Sequence, residues 1–210
     1  MVADPDTPLR ADARRNRDQI IAAAKQVFLD QGPDVPMEVI ARRAGVGVGT
    51  LYRRFPDRES LILAVSRRNF EEVVTEARAA AAEEPTAWAA IVRLLQRSRG
   101  LKLSVQLAVL SPLARAILRD DETTQEFRAE IMLILDELVR GAQAEGSMRR
   151  DVGAGDVAVL CSLLLMDLPL EDLSDLVLDR ALAVMIDGLR ATSQSPLPGR
   201  PITGEDLRIR

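Results

Sequence analysis

Histidine is absent from the 210 residues of the chain, and with it go the usual general base near neutral pH and the commonest metal ligand. The single cysteine, Cys161, can form neither an internal disulfide nor a thiolate metal cage, and its place in the apolar run VAVLCSLLLM reads as core. Acidic side chains are many, but no base, metal set or phosphate-cradling loop accompanies them, so neither catalysis nor a cofactor or metal is expected. The chemistry that remains is hydrogen bonding to a polyanion. Thr50, Tyr52, Arg53 and Arg54 flank Leu51 within five residues, and Arg58 follows four residues on. Hydroxyls and guanidinium groups are what phosphates and base edges accept.

A helix is needed to sort these side chains onto one surface. Residues 36–55, PMEVIARRAGVGVGTLYRRF, hold two short helical patterns separated by glycines, the layout of a helix-turn-helix. In the first, Met37, Ile40 and Ala44 share a face, and Pro36 stands where a helix tolerates proline well. In the second, which starts at Val48, Leu51 and Phe55 fall together as the buried anchor. Gly49, Thr50 and Arg53 then face outward, flanked by Tyr52 and Arg54. Gly49 and Thr50 are small near the helix start, which lets backbone amides approach a phosphate. The spacing Gly45-x-Gly47-x-Gly49 also suggests a dinucleotide loop, but that fingerprint needs a preceding strand and an acidic residue in a second strand. Here a helix precedes, and Glu71 and Glu72 sit within a long helical pattern.

Charge supports the same division of labour. The chain carries −4 overall, yet residues 9–58 hold ten basic and six acidic side chains, so a basic head precedes an acidic body that a polyanion should repel. Between Pro36, Pro56, Pro85, Pro112 and Pro169 the apolar spacing is helical throughout, which predicts an all-α chain. Ile20, Ala24, Val27 and Phe28 stripe a helix that should stop at Gly32-Pro33. A long helix is expected over residues 57–84, another after Pro85, and a further long one through Phe127, Ile131, Leu135 and Ala142 to about Gly146. Helices near 154–167 and 176–191 are apolar on nearly every side, more than one core can cover, so they are expected to pair with a second copy in a four-helix interface. Val157, Leu160, Leu164, Leu182, Val184 and Met185 are its expected residues. Residues 193–210 have prolines, glycines and no period, the pattern of a mobile tail. The longest apolar run is too short for a bilayer, which favours a cytoplasmic protein.

The run IARRAGVGVGTLYRRFPDRESLILAV resembles the DNA-binding domain of the tetracycline-repressor (TetR) family of bacterial regulators, with its IA-x-x-AGV turn, GTLY-x-x-F and basic-E-x-L helix start. The upstream IIAAAKQVFLDQG is similar to the family's first helix. The resemblance implies a flexible arm over residues 1–13, a DNA-binding domain over 14–73, and an effector-binding and dimerisation domain over 74–192. It implies phosphate contacts for Thr50 and Tyr52, base contacts for Val48, Gly49 and Arg53, and a backbone-holding role for Arg58 at the start of the fourth helix. Pro36 and Met37 stand at contact positions where relatives often carry threonine or serine. Gly47 likewise replaces the hydroxyl residue that caps the recognition helix in many members. Trp88, Arg99, Gln106, Met132 and Met166 are candidates for the implied effector pocket. The function so implied is a ligand-responsive regulator, a repressor released from a palindromic double-stranded DNA operator by a small molecule. An activator controlled by a protein partner, or a helical small-molecule-binding enzyme, are the alternatives.

Overall fold

The computed structural model describes residues 6–103, 105, 107, 111–166, 174–192 and 195–207, with side chains from residue 12 onward except those of 99, 101 and 174. Among these residues there is no named strand, and the helices are α1 (Asp6–Gln31), α2 (Met37–Arg43), α3 (Val48–Arg54), α4 (Arg58–Glu83), α5 (Ala87–Gln96), α6 (Pro112–Asp120), α7 (Glu122–Ala144), α8 (Ala154–Leu164) and α9 (Ser174–Gly188). A short 3-10 turn, Ser98–Leu101, follows α5. The chain is all-α, as its periodicity predicts.

Two compact units divide it. The first comprises residues 1–68 and Leu107–Asp120, the second Asn69–Gln106 and Asp121–Arg210, so the boundary falls inside α4. The head is therefore not the simple 14–73 segment expected, because it recruits α6 with the buried Ala114 and Leu118. The expected arm is also shortened: α1 begins at Asp6, and its first turns are held in part by an Arg15–Asp12 ion pair at helical spacing.

Ile20, Ala24, Val27 and Phe28 of α1, Ile40 and Ala41 of α2, Leu51 of α3 and Leu61, Ile62 and Val65 of α4 are buried in the first unit. The turn between α2 and α3 has a specific cause. Gly45 takes φ +66°, its N–H donates to Arg42 O and the Val46 N–H donates to Ala41 O, the pair of bonds that closes a helix through a left-handed residue. Only glycine enters that region without the roughly 1–2 kcal/mol cost of a Cβ.

In the second unit α5, α7, α8 and α9 enclose Ile91, Leu95, Leu138, Val139, Met148, Val157 and Leu182. Helix ends are fixed by carboxylates. Asp121 accepts from the Thr124 N–H at 2.9 Å and begins α7, while Glu145 at the other end of α7 accepts from the Ala87 N–H at 2.8 Å and caps α5.

The C-terminal segment corrects the mobile-tail expectation. Residues 195–207 lie against the start of α8. The Gly155 N–H donates to Ile202 O, and the Ile202 N–H donates to the Asp156 carboxylate, each at 2.9 Å. Arg149 grips Asp151 and donates to Ser195 O at 2.6 Å, and the Leu197 N–H donates to Asp151. Glycine is required beneath this strap: a Cβ on Gly153 would stand 2.2 Å from Ile202 O, and one on Gly155 2.6 Å from Thr203 O. The segment has no apolar period because it docks by backbone hydrogen bonds. Residues 193, 194 and 208–210 lie outside the described set.

Asp151 and Asp206 hold the strap as anions. The Arg149 guanidinium, then the Leu197 amide, keep the Asp151 carboxyl well below the usual range, and Arg200, then Thr203, do the same for Asp206. A depressed carboxylate stabilises above the unfolded value of about 3.9 and loses its contribution as pH falls through the folded one. The Leu197 and Thr203 amide resonances should therefore hold still from neutral pH down to about 4 and move only below it. Midpoints above that value would show that the carboxylates are not so held.

Candidate nucleic-acid interface and cavity

Helix α3 has one buried residue, Leu51, with Phe55 buried just beyond its end. Arg17 of α1 lies over the Phe55 ring, 5.6 Å from its centroid, which ties the end of α3 to the first helix. Everything else on α3 is exposed or half-buried. Val48 and Tyr52 are 39% and 40% exposed, large apolar surfaces at water that no fold requirement explains. Gly49, Arg53 and Arg54 are exposed beside them, and the Arg53 Nη2 donates to Thr50 Oγ1 at 3.1 Å. That bond aligns the guanidinium along the helix while leaving the Thr50 O–H free to donate. The wheel drawn from the sequence therefore matches the observed faces of this helix. Gly47 occupies the N-cap, where glycine is well tolerated, and the missing hydroxyl leaves the first-turn amides of α3 without a side-chain partner.

Two expected contact residues, Met37 and Arg58, stand differently. Met37 is 4% exposed and belongs to the core of the head, so it has no surface to offer, whereas Pro36 is exposed at the N-cap of α2. Arg58 is turned inward: its Nη1 donates to Pro33 O and to Val35 O, both at 2.6 Å. It clasps the α1–α2 loop to the start of α4, a task that a basic residue at this position does not reveal in the sequence. Asp57, just before it, accepts from the Ser60 N–H at 2.7 Å, and that bond lowers its carboxyl pKa.

The second unit contains a cavity of about 200 Å³ between α4, α5, α7 and α8. Val73, Ala77, Ile91, Leu95, Leu135 and Val157 make its wall apolar, and Met132 lines it as well. Trp88 does not: it belongs to a separate groove between α5 and α9, under the Arg190 guanidinium at 5.3 Å. Met166 is exposed past the end of α8 and does not line the cavity. Gln106 and the side chain of Arg99 lie outside the described residues. Arg97, a residue the sequence offers as a source of pocket polarity, lines the cavity, whereas Glu76 and Ser98 escaped sequence reasoning. Glu76 lines the cavity and accepts from Arg93 Nε and Arg97 Nη1, each at 2.8 Å, bonds that hold its carboxyl below the usual range. Cys161 is buried as expected, and burial pushes its thiol up, yet it faces this cavity rather than solid core.

On α8 and α9 the expected interface residues separate. Val157 and Leu182 are 1% and 4% exposed and serve the chain's own core, while Leu164 and Met185 are half-buried against it. Both helices spend one face on their own chain, which the nearly uniform apolar composition conceals. Leu160 and Val184 are exposed, and so are Leu163 and Leu176, at 58% and 55%. No described helix is long and apolar enough to cross a membrane.

A family model described as bacterial regulatory proteins of the tetR family matches residues 20–65, and one described as the C-terminal domain of SbtR-like transcriptional regulators matches residues 86–191. A crystal structure of a TetR regulatory protein from Mycobacterium vanbaalenii is 32% identical, covers 87% of this chain and 99% of its own, and superposes with a TM-score of 0.58. A TetR regulator from Streptomyces coelicolor is 31% identical over 84% of this chain and 99% of its own, with a TM-score of 0.60. An HTH-type transcriptional regulator of Staphylococcus aureus is 37% identical over 68 residues, which span 32% of this chain and 37% of that relative.

Proposed function

The chain belongs to the tetR family of bacterial regulatory proteins, DNA-binding transcription factors rather than enzymes, and we propose on that premise that it is a repressor that leaves a palindromic operator when a small effector fills the cavity. It acts as a homodimer, with α3 of each subunit in a major groove and the apolar faces of α8 and α9 paired. The exposed face of α3 carries this reading. Tyr52 and the Thr50 hydroxyl suit phosphate oxygens, because each gives one hydrogen bond without reading a base. Arg53, opposite the Leu51 anchor and aligned by Thr50, has the forked donors that read guanine bidentately, and Arg54 adds charge beside it. Pro36, Val48 and Gly49 present small or apolar surface to the same groove.

Arg53→Ala is the test. Anisotropy titrations on operator and single-base variants should show discrimination of about 1–3 kcal/mol lost at one base pair per half-site. Equal weakening on operator and random DNA would make Arg53 a phosphate contact and remove base readout from this residue.

A further inference from the structure

Two properties of the cavity in the second unit together define a ligand class, which rests on the reading of that cavity as an effector site. Its wall is aliphatic: Val73, Ala77, Ile91, Leu94, Leu135 and Met132, with no aromatic ring among its described lining residues. At about 200 Å³ it is smaller than the roughly 300–1,000 Å³ of pockets for drug-sized molecules. One polar atom in it is unspent. Ser98 is 4% exposed, lines the cavity, and its hydroxyl has no hydrogen-bond partner among the described residues. Its polar neighbour is the Cys161 sulfur, a weak acceptor toward which the hydroxyl can turn, but the contact falls short of hydrogen-bond geometry. A buried hydroxyl without a partner costs free energy, and a group supplied by a ligand recovers it.

The charged groups at the wall argue against a charged ligand. Glu76 is already paired with two guanidinium groups, those of Arg93 and Arg97, and Glu72 has a partner as well, so a cation would have to compete for either carboxylate. An anion would meet two carboxylates against one guanidinium. We infer that the cavity takes a small, uncharged, mainly aliphatic molecule bearing one hydrogen-bonding oxygen, which pairs with the Ser98 hydroxyl.

The test uses the full chain and four six-carbon probes of matched length: 1-hexanol, hexane, hexanoate and hexylamine, with binding read by saturation-transfer NMR and calorimetry. Hexanol should bind tightest. Ser98→Ala should weaken hexanol by about two- to tenfold, the range of one neutral hydrogen bond, and leave hexane unchanged. Ala158→Leu fills the cavity from a half-buried position, so it should abolish binding of every probe without lowering the melting temperature, which keeps the test valid if Ser98→Ala folds poorly. Hexanoate or hexylamine binding as tightly as hexanol, or no binding by any probe, would overturn the ligand class. Hexanol binding that leaves operator affinity untouched would instead sustain the class and overturn the effector reading.

Discussion

Replacing Leu163 and Val184 together by aspartate is expected to yield a monomer and to weaken operator binding by about 10²- to 10⁴-fold, the factor gained when two binding events are joined. The pair follows from exposure. Leu163 and Val184 are 58% and 73% exposed on helices α8 and α9, which pack against each other, and Leu160 and Leu176 of the same two helices are exposed as well. Exposed apolar side chains of this size on one helix pair are what the proposed isologous pairing with a second copy would cover. Substitution of Val157 or Leu182 would not serve, because both are buried in the subunit's own core and their loss would unfold it. Sedimentation velocity reads the mass, and circular dichroism should show helices and melting preserved. A dimer that survives both charges would move the interface away from α8 and α9.

The second large effect is on stability. Arg58→Ala should destabilise the head by about 1.5–3 kcal/mol, the range for hydrogen bonds to a charged group, because Pro33 O and Val35 O lose their donor. Arg58→Lys should restore little, since an ammonium on a flexible stem does not reproduce the planar donor set. The salt dependence of DNA binding should stay near that of the native chain once measured below the variant's melting temperature. Unchanged melting together with a shallower salt slope would return Arg58 to the phosphates.

The recognition helix is legible in the sequence because its chemistry is local. Leu51 and Phe55 recur at helical spacing, and every polar residue between them is forced outward by that one anchor. The same reasoning fails where the deciding partner is distant in sequence. Arg58 serves carbonyls 23 and 25 residues earlier, and a basic residue after a proline says nothing of that. Met37 lies on the face the spacing predicts as buried, and the likeness of its position to contact residues elsewhere points wrongly outward. The strap is the clearest case of all. Residues 195–207 dock largely through their amides and carbonyls, which every sequence has, and the receiving site is marked only by Arg149, Asp151, Gly153, Gly155 and Asp156, scattered among other polar and small residues. Trp88 and Met166 stand out in the sequence as large side chains, but the cavity is walled mainly by medium-sized aliphatic residues of four helices, and the lining hydroxyl left without a partner belongs to an inconspicuous serine, Ser98.

Binding of duplex DNA through its phosphates by an exposed, basic recognition helix is tested most directly by an affinity titration across salt concentrations. Each neutralised phosphate contributes about −0.9 to the slope of log K against log salt, so two heads, each with ten basic against six acidic side chains over residues 9–58, should give a steep negative slope. With the phosphate role proposed for its hydroxyl, Tyr52→Phe should weaken binding by about 0.5–1.5 kcal/mol on every sequence. A steep slope with that uniform loss is the predicted result; an affinity indifferent to salt would contradict DNA binding by this surface.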